Sequence, residues 1–257
     1  METTQQTQDK GTYLYAVVPA GSVANLDEIA GVEQGKVYAI ASSDLAAVVS
    51  DVPSRGEMRP ERKHLSAHQQ VLERVTGASP VVLPVSFGTI AESPESVRTL
   101  LDSYHQEFAN QMRRVEGKIE MRVHLAYAAS KPSIFEHLVN GNPDLRAARD
   151  RTFGSGAEPS REAKIDLGQK FEALLSQLRE ECVQKLEQAL EGVAEFKRNA
   201  PRNERELVNL ACLVPKAVQA DFDSAVRSAA GLFPDSFAID QSGPYPPYDF
   251  VDVHVKK

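Results

Sequence analysis

Apolar and polar residues follow two rhythms along this chain, and each change of rhythm marks an element. The stretch TYLYAVVPA at 12–20 is aromatic and β-branched, then stopped by Pro19, which predicts a buried strand. Residues 36–52 hold two apolar runs around Ser42, Ser43 and Asp44. Small polar residues there suit a tight turn, so a hairpin is expected. From 60 to 77 the period lengthens to that of a helix, with Leu65, His68, Leu72 and Val75 on one stripe. Pro60 suits its first turn and Gly77 its end. β character returns at 80–90, broken by Pro84 and Gly88. A further helix follows, with Ser93 as cap, Pro94 in the first position and Glu95 near the positive end of the dipole. Its apolar face runs Val97, Leu100, Leu101, Tyr104, Phe108, Met112 and Val115.

The second half opens on strict alternation at 118–128. Ile119, Met121, Val123 and Leu125 point one way, and Glu120, Arg122 and His124 point the other. That pattern predicts a half-buried strand with its polar face in water. The stretch NGNPDLRAARDRTFGSGAEPS at 140–160 reads as an exposed loop with a short helix near 144–150. The longest helix is expected over 161–192, roughly 45 Å at 1.5 Å per residue. A second hairpin around Pro201 to Glu204, a short helix at 217–231 and two last strands, DSFAIDQSG and YDFVDVHV, complete the chain. In the last, Val251, Val253 and Val255 alternate with Phe250, Asp252 and His254, and the prolines of GPYPPYDFV guide the chain stiffly to a sheet edge.

This order predicts an α+β protein of two domains. A polar tail at 1–11, read as disordered, precedes an N-terminal α+β domain at 12–117. A C-terminal domain at 118–257 carries the long loop near 140–160. The second half has the βαββαβ order of a ferredoxin-like unit, modified by an extra strand.

Charge and composition narrow the function. The net charge of −7 weighs against nucleic acid and an anionic membrane surface as partners. The two cysteines, Cys182 and Cys212, sit among apolar residues and read as free thiols in a reducing compartment. The start METTQQTQDKG lacks the apolar core of a signal peptide, and no stretch approaches the roughly 20 apolar residues that cross a bilayer. A cytoplasmic protein is expected.

Motifs for catalysis are missing. There is no phosphate loop and no Gly-x-Ser-x-Gly elbow, and GSG at 154–156 follows no strand and lacks a third glycine. His64 and His68 have the spacing of two metal ligands on a helix face, but Leu65 stands where a zinc protease carries glutamate. A packed histidine is the simpler reading. His124 and His254 are expected to be solvated, and Cys182 and Cys212 to be small core residues rather than nucleophiles. Glu180 and Glu181 read as surface. Arg146, Arg149 and Arg151 form a local basic cluster that suits an acidic partner or simply faces water. No metal, cofactor or catalytic residue is assigned.

Two segments stop being generic: VVLPVSFGTIAESPESVRTLL, leading into GKIEMRVHLAY, and GPYPPYDFV. Together with YLYAVVPA near the start, they resemble the gas vesicle protein F/L family, nearer its F branch. Ser86 and Tyr245 depart from that pattern, where family members often carry a basic residue and a tryptophan. The resemblance implies a two-domain α+β protein with a modified ferredoxin-like C-terminal half. It also implies a non-enzymatic structural or assembly component of gas vesicles. Its partners would be the small, hydrophobic major shell protein and other accessory vesicle proteins. Candidate contact residues are Tyr245, Tyr248 and Phe250, with Arg146, Arg149 and Arg151. For the tyrosines, packing competes with partner binding, since aromatics serve both uses. The alternative is a ferredoxin-like module that binds a small ligand or regulates, because fold alone does not decide function.

Overall fold

The computed structural model describes residues 10–23, 26, 29–53, 56–128, 130, 133–154 and 158–253. It divides into two compact units, one of residues 1–120 with 244–257 and one of residues 121–243.

The first unit is built on strands β1 (Gly11–Pro19), β2 (Val37–Ser42), β3 (Leu45–Val52), β4 (Leu83–Pro84) and β5 (Ile90–Ala91). Their order is β2-β3-β1-β4, and β5 also pairs with β1. The expected hairpin is β2 and β3, which pair antiparallel from Val37↔Ser50 to Ser42↔Leu45. Its turn places Ser43 at φ 52°, in the left-handed region. The expected strand over 80–90 shrinks to the two-residue ladders of β4 and β5. Pro84 has no N–H to donate, and Gly88 turns the chain at φ 83°.

Helix α1 (Arg62–Ala78) buries His64, His68, Val71, Leu72 and Val75. Its inner stripe meets Tyr13, Tyr15, Val18 and Val48 in one core. The single helix expected from Ser93 onward is two, α2 (Pro94–Ser103) and α3 (His105–Val115). They break at Tyr104, whose φ of −110° and ψ of 15° are not helical. Ser93 caps α2 as expected, accepting from the N–H of Ser96 at 3.1 Å.

The second sheet has the order β7-β8-β6-β9. Its strands are β6 (Lys118–Tyr127), β7 (Glu195–Arg198), β8 (Glu206–Pro215) and β9 (Phe237–Tyr245). Helix α6 (Arg161–Ala189) is 29 residues long, about 44 Å, and lies against β8 and α7 (Gln219–Ala230).

The expected loop near 140–160 is largely helical. Helix α4 (Ile134–Gly141) and helix α5 (Pro143–Phe153) pack on each other and on α6. Helix α5 begins in the usual way, with Pro143 in its first turn and Asn142 accepting from the N–H of Leu145 at 2.9 Å. Its core face is thin, only Leu145, Ala148 and Thr152. Such a face is too small for a period to stand out among arginines and aspartates.

Three further expectations are corrected. The polar face of β6 is not in water: Glu120 is fully buried and His124 is 4% exposed. Strict alternation marks a half-buried strand only when the polar side chains lack partners, and here they have them. Residues 251–253 form no strand; Tyr248–Phe250 is instead a turn of 3-10 helix. His254 and Val255 lie outside the described residues, as do most of the polar tail and the centre of the 154–156 glycine motif. Finally, residues 244–257 group with the first unit rather than with 118–243. The edge of the second sheet is therefore β9, not the terminal segment.

Candidate partner-binding site

The C-terminal candidates are anchored from the backbone outward. Two prolines in a row, Pro246 and Pro247, are buried, and Pro247 turns the chain at φ −77° and ψ 61°. The chain then closes into a short turn, with the N–H of Tyr248 donating to the carbonyl of Pro246 at 2.8 Å. The N–H of Asp249 donates to Oε2 of the buried Glu120 at 2.8 Å. Gln111 on α3 holds Asp252 from both sides: its Nε2 donates to the carbonyl at 2.7 Å, and its Oε1 accepts from the N–H at 2.6 Å. Phe250 is 7% exposed, and Tyr248 packs against the core that contains Tyr13 and Tyr15. Burial, with the charge of Glu120 second, raises the Tyr248 phenol well above its ordinary range. Tyr248 is thus engaged in the first unit's own packing and Phe250 is buried, while Tyr245 is half-buried at the end of β9.

The arginine cluster sits elsewhere, on α5 in the second unit. Arg146 donates to the carbonyls of Val139 (3.3 Å) and Asn140 (2.5 Å), which are free at the end of α4. Arg149 is paired with Asp150 at 2.6 Å. Arg151 is exposed. The six candidate residues therefore do not converge on one site within either unit, and most of the basic charge is already answered locally.

What the helical layer offers instead is apolar surface. Its small core of Val139, Leu145, Ala148 and Leu167 is ringed by partly buried Phe135, Leu138, Phe171 and Leu174. Phe135 and Phe171 meet edge to face, with centroids 5.3 Å apart. Phe153, at the end of α5, is 55% exposed.

The histidines have structural neighbours. His68 Nδ1 shares a 2.9 Å hydrogen bond with the Tyr13 hydroxyl, which also accepts from the N–H of Gly88 at 3.0 Å. Burial drives the His68 pKa down to about 4, so the ring is neutral at pH 7. His64 faces other groups, the carbonyl of Arg59 and the carboxylate of Glu33. The pair does not share a ligand, and among the described residues no group of three His, Cys, Asp or Glu is placed to hold a metal. His64 and Glu33 line an open cleft of about 320 Å³ with Met58, Glu61 and Ile90.

His124 is the reverse of the solvated histidine expected from alternation. Its Nδ1 lies 3.0 Å from Glu206 Oε1, although the angle falls outside hydrogen-bond geometry. Glu206 is 1% exposed, accepts from Nε of Arg202 at 2.9 Å and also contacts the Arg202 N–H. Burial pushes the Glu206 carboxyl up, but the Arg202 N–H and guanidinium outweigh it and hold the carboxyl below its ordinary range. Burial first, then Arg202, lowers the His124 pKa. Single-strand alternation missed this cluster because its members lie about eighty residues apart in sequence. The one available signal was Glu206 at the head of a strand that is apolar but for Asn209.

Both cysteines are buried, and neither is in a disulfide. Burial raises the Cys182 thiol to about 11, which keeps it a poor nucleophile.

A family model described as "Gas vesicle synthesis protein GvpL/GvpF" matches residues 11–252. Gas vesicle protein F of Streptomyces sp. (strain CB03234) is 27% identical over 243 residues, covering 94% of this chain and 99% of that protein. Gas vesicle protein L1 of Halobacterium salinarum is also 27% identical, over 263 residues, covering 96% of this chain and 92% of that protein. These two relatives, one F and one L, are equally identical to this chain. The crystal structure of GvpF from Microcystis aeruginosa superposes with a TM-score of 0.77 at 23% identity, covering 95% of this chain and 99% of that one. GvpF from Anabaena sp. PCC7120 gives the same TM-score at 22% identity, covering 96% and 98%. The mixed helix-and-sheet fold is shared with both.

Proposed function

The chain belongs to the gas vesicle synthesis protein GvpL/GvpF family, and from that premise we propose that it is a non-enzymatic accessory protein of gas vesicle formation. In this reading it binds the major shell protein and other vesicle proteins during nucleation or growth. One observation carries it: the family match runs from residue 11 to residue 252, so the whole folded body corresponds and not an isolated module. The physical logic is that a shell subunit with an apolar gas-facing side is an aggregation hazard before assembly. A folded, acidic protein with apolar surface of its own can cover that side until the subunit is placed.

We also propose that the second unit is a modified ferredoxin-like domain within a two-domain protein. The chain order β6, helices, β7, β8, α7, β9 and the spatial order β7-β8-β6-β9 support this. Helices α4 and α5 are then an insertion between its first strand and the long helix α6.

The test is capture of purified shell subunit by the immobilised full chain, read by immunoblot after washing. Retention above an unrelated acidic protein of similar size is the expected result. Retention no greater than that control overturns the reading.

A further inference from the structure

We infer that the open edge of β9 is the docking site, where an extended segment of the shell subunit adds to the second sheet as a fifth strand. This rests on the function proposed above and names the surface that performs it.

The observation is a contrast between the two edges of one sheet. At one edge lies β7, four residues long, Glu195–Arg198, with two adjacent cations, Lys197 and Arg198. Arg198 is pinned by both nitrogens to Glu187 at 2.7 Å and reaches Glu180 at 3.1 Å. Short length and charge are the usual protections of an edge against another chain. The opposite edge, β9, has neither. It runs nine residues, FAIDQSGPY, and carries one charge, Asp240. Among the described edge strands it is the longest, against six residues for β2, four for β7 and two each for β4 and β5. Helix α2 lies against β2, and Asp102 of that helix holds Ser42 at the strand's end.

The edge also specifies its occupant. Pro244 has no N–H and the Phe237 N–H already donates to the carbonyl of Pro234 at 2.9 Å, so the ladder of residues 237–243, roughly 24 Å at about 3.4 Å per residue, takes its donors from 238–243. Phe237, Ile239 and Gln241 are half-buried on one face. Phe237 packs edge to face with Tyr127 (5.6 Å) and His137 (5.6 Å), and Gln241 donates to Asp223 of α7 at 2.5 Å. Ala238 and Asp240 are exposed on the other face. An added strand would extend the Phe237–Ile239 row with apolar side chains and set a polar or basic residue beside Asp240. The fitting partner is thus an extended segment with alternating apolar and polar or basic residues, held by main-chain hydrogen bonds that tolerate variation in its side chains.

The experiment uses the full chain with Ala238→Pro and Ile239→Pro made separately. Adjacent N–H groups in a strand point to opposite sides, so one variant removes only an outward donor and keeps the sheet. Thermal unfolding identifies that variant. It is expected to retain the wild-type midpoint and bind the shell subunit at least tenfold more weakly. Amide hydrogen exchange on the unmodified chain is the second measurement, with added protection at 237–243 expected when the shell subunit is present. A folded variant that still captures the subunit, or exchange at 237–243 unchanged by it, overturns the edge site and leaves the proposed function standing. Wild-type chain that captures nothing overturns the function itself. A wild-type dimer that the same variant dissociates assigns the edge to a second copy and likewise overturns the proposal.

Discussion

In the first unit Tyr13, Tyr15 and His68 are buried as neutral groups, hydrogen-bonded to neutral neighbours. Tyr15 accepts from the N–H of Val32 at 2.7 Å and shares a 2.8 Å hydrogen bond with Ser50. In the second unit Glu206 is buried as an anion, held by Arg202 beside His124. Neutral partners lose little on leaving water and are replaceable one at a time. A buried anion is tolerable only while its cation stays, because an uncompensated charge in a low-dielectric interior is far costlier than a lost hydrogen bond. The same task, hiding polar atoms inside a sheet protein, thus leaves the Tyr13–Tyr15–His68 cluster graded in its response to mutation and the Glu206 cluster steep.

Substitutions separate the two modes. The largest effect is expected from Arg202→Ala, which strands Glu206 without its guanidinium; that guanidinium is 60% exposed, so the cost in urea unfolding is about 2–3 kcal/mol, below that of a fully buried pair. A change below about 1 kcal/mol would mean that Glu206 takes up a proton or finds water, and the contrast would be lost.

Acid comes next. His68 has a folded pKa of about 4 against an ordinary 6.5, so the unfolded chain binds the extra proton between these values. Stability is therefore complete above pH 6.5 and falls as pH drops toward 4, by about 3 kcal/mol at most. Glu206, whose pKa is depressed, acts in the same direction at lower pH, being lost as the carboxylate protonates. Denaturant midpoints of the wild type and His68→Phe at pH 7 and pH 5 isolate the histidine; the variant should show the shallower slope.

Tyr15→Phe is smaller. It leaves the N–H of Val32 buried without its acceptor, and a loss of about 1–2 kcal/mol is expected at pH 7. The smallest effect belongs to the surface. Arg149→Ala breaks an exposed pair with Asp150 and should leave the thermal midpoint unchanged within error.

Several elements were legible because their signal is local. The cap of α2 needs only Ser93, Pro94 and Glu95 in a row. The β2–β3 hairpin needs two apolar runs around three small polar residues. The inner stripe of α1, His68, Leu72 and Val75, repeats every three or four residues, although Leu65, expected on it, is exposed and His64 and Val71 are buried instead. The break at Tyr104 was hidden because α2 and α3 keep a continuous apolar face through it. Helix α5 was hidden for the opposite reason, since Leu145 and Ala148 are too few to set a period. The candidate site was legible only as a list. Tyr248 and Phe250 stand out in the sequence, but the list does not say that Tyr248 closes onto the first unit's core, that Phe250 is buried or that Arg146 is engaged with the carbonyls of α4.

The sequence by itself determined the family, the mixture of helix and sheet and the starts of several elements, among them α2 and the β2–β3 hairpin. Those properties depend on residue type and short spacing, which survive without knowledge of neighbours. Only the tertiary structure decided that Glu120 and His124 are buried and that residues 244–257 group with the first unit. It alone left β9, rather than the terminal segment, at the open edge of the second sheet. Each of these depends on what lies across a gap of tens of residues. Burial, the answering of charge and the freedom of an edge are properties of pairs, and the chain order does not state which pairs form.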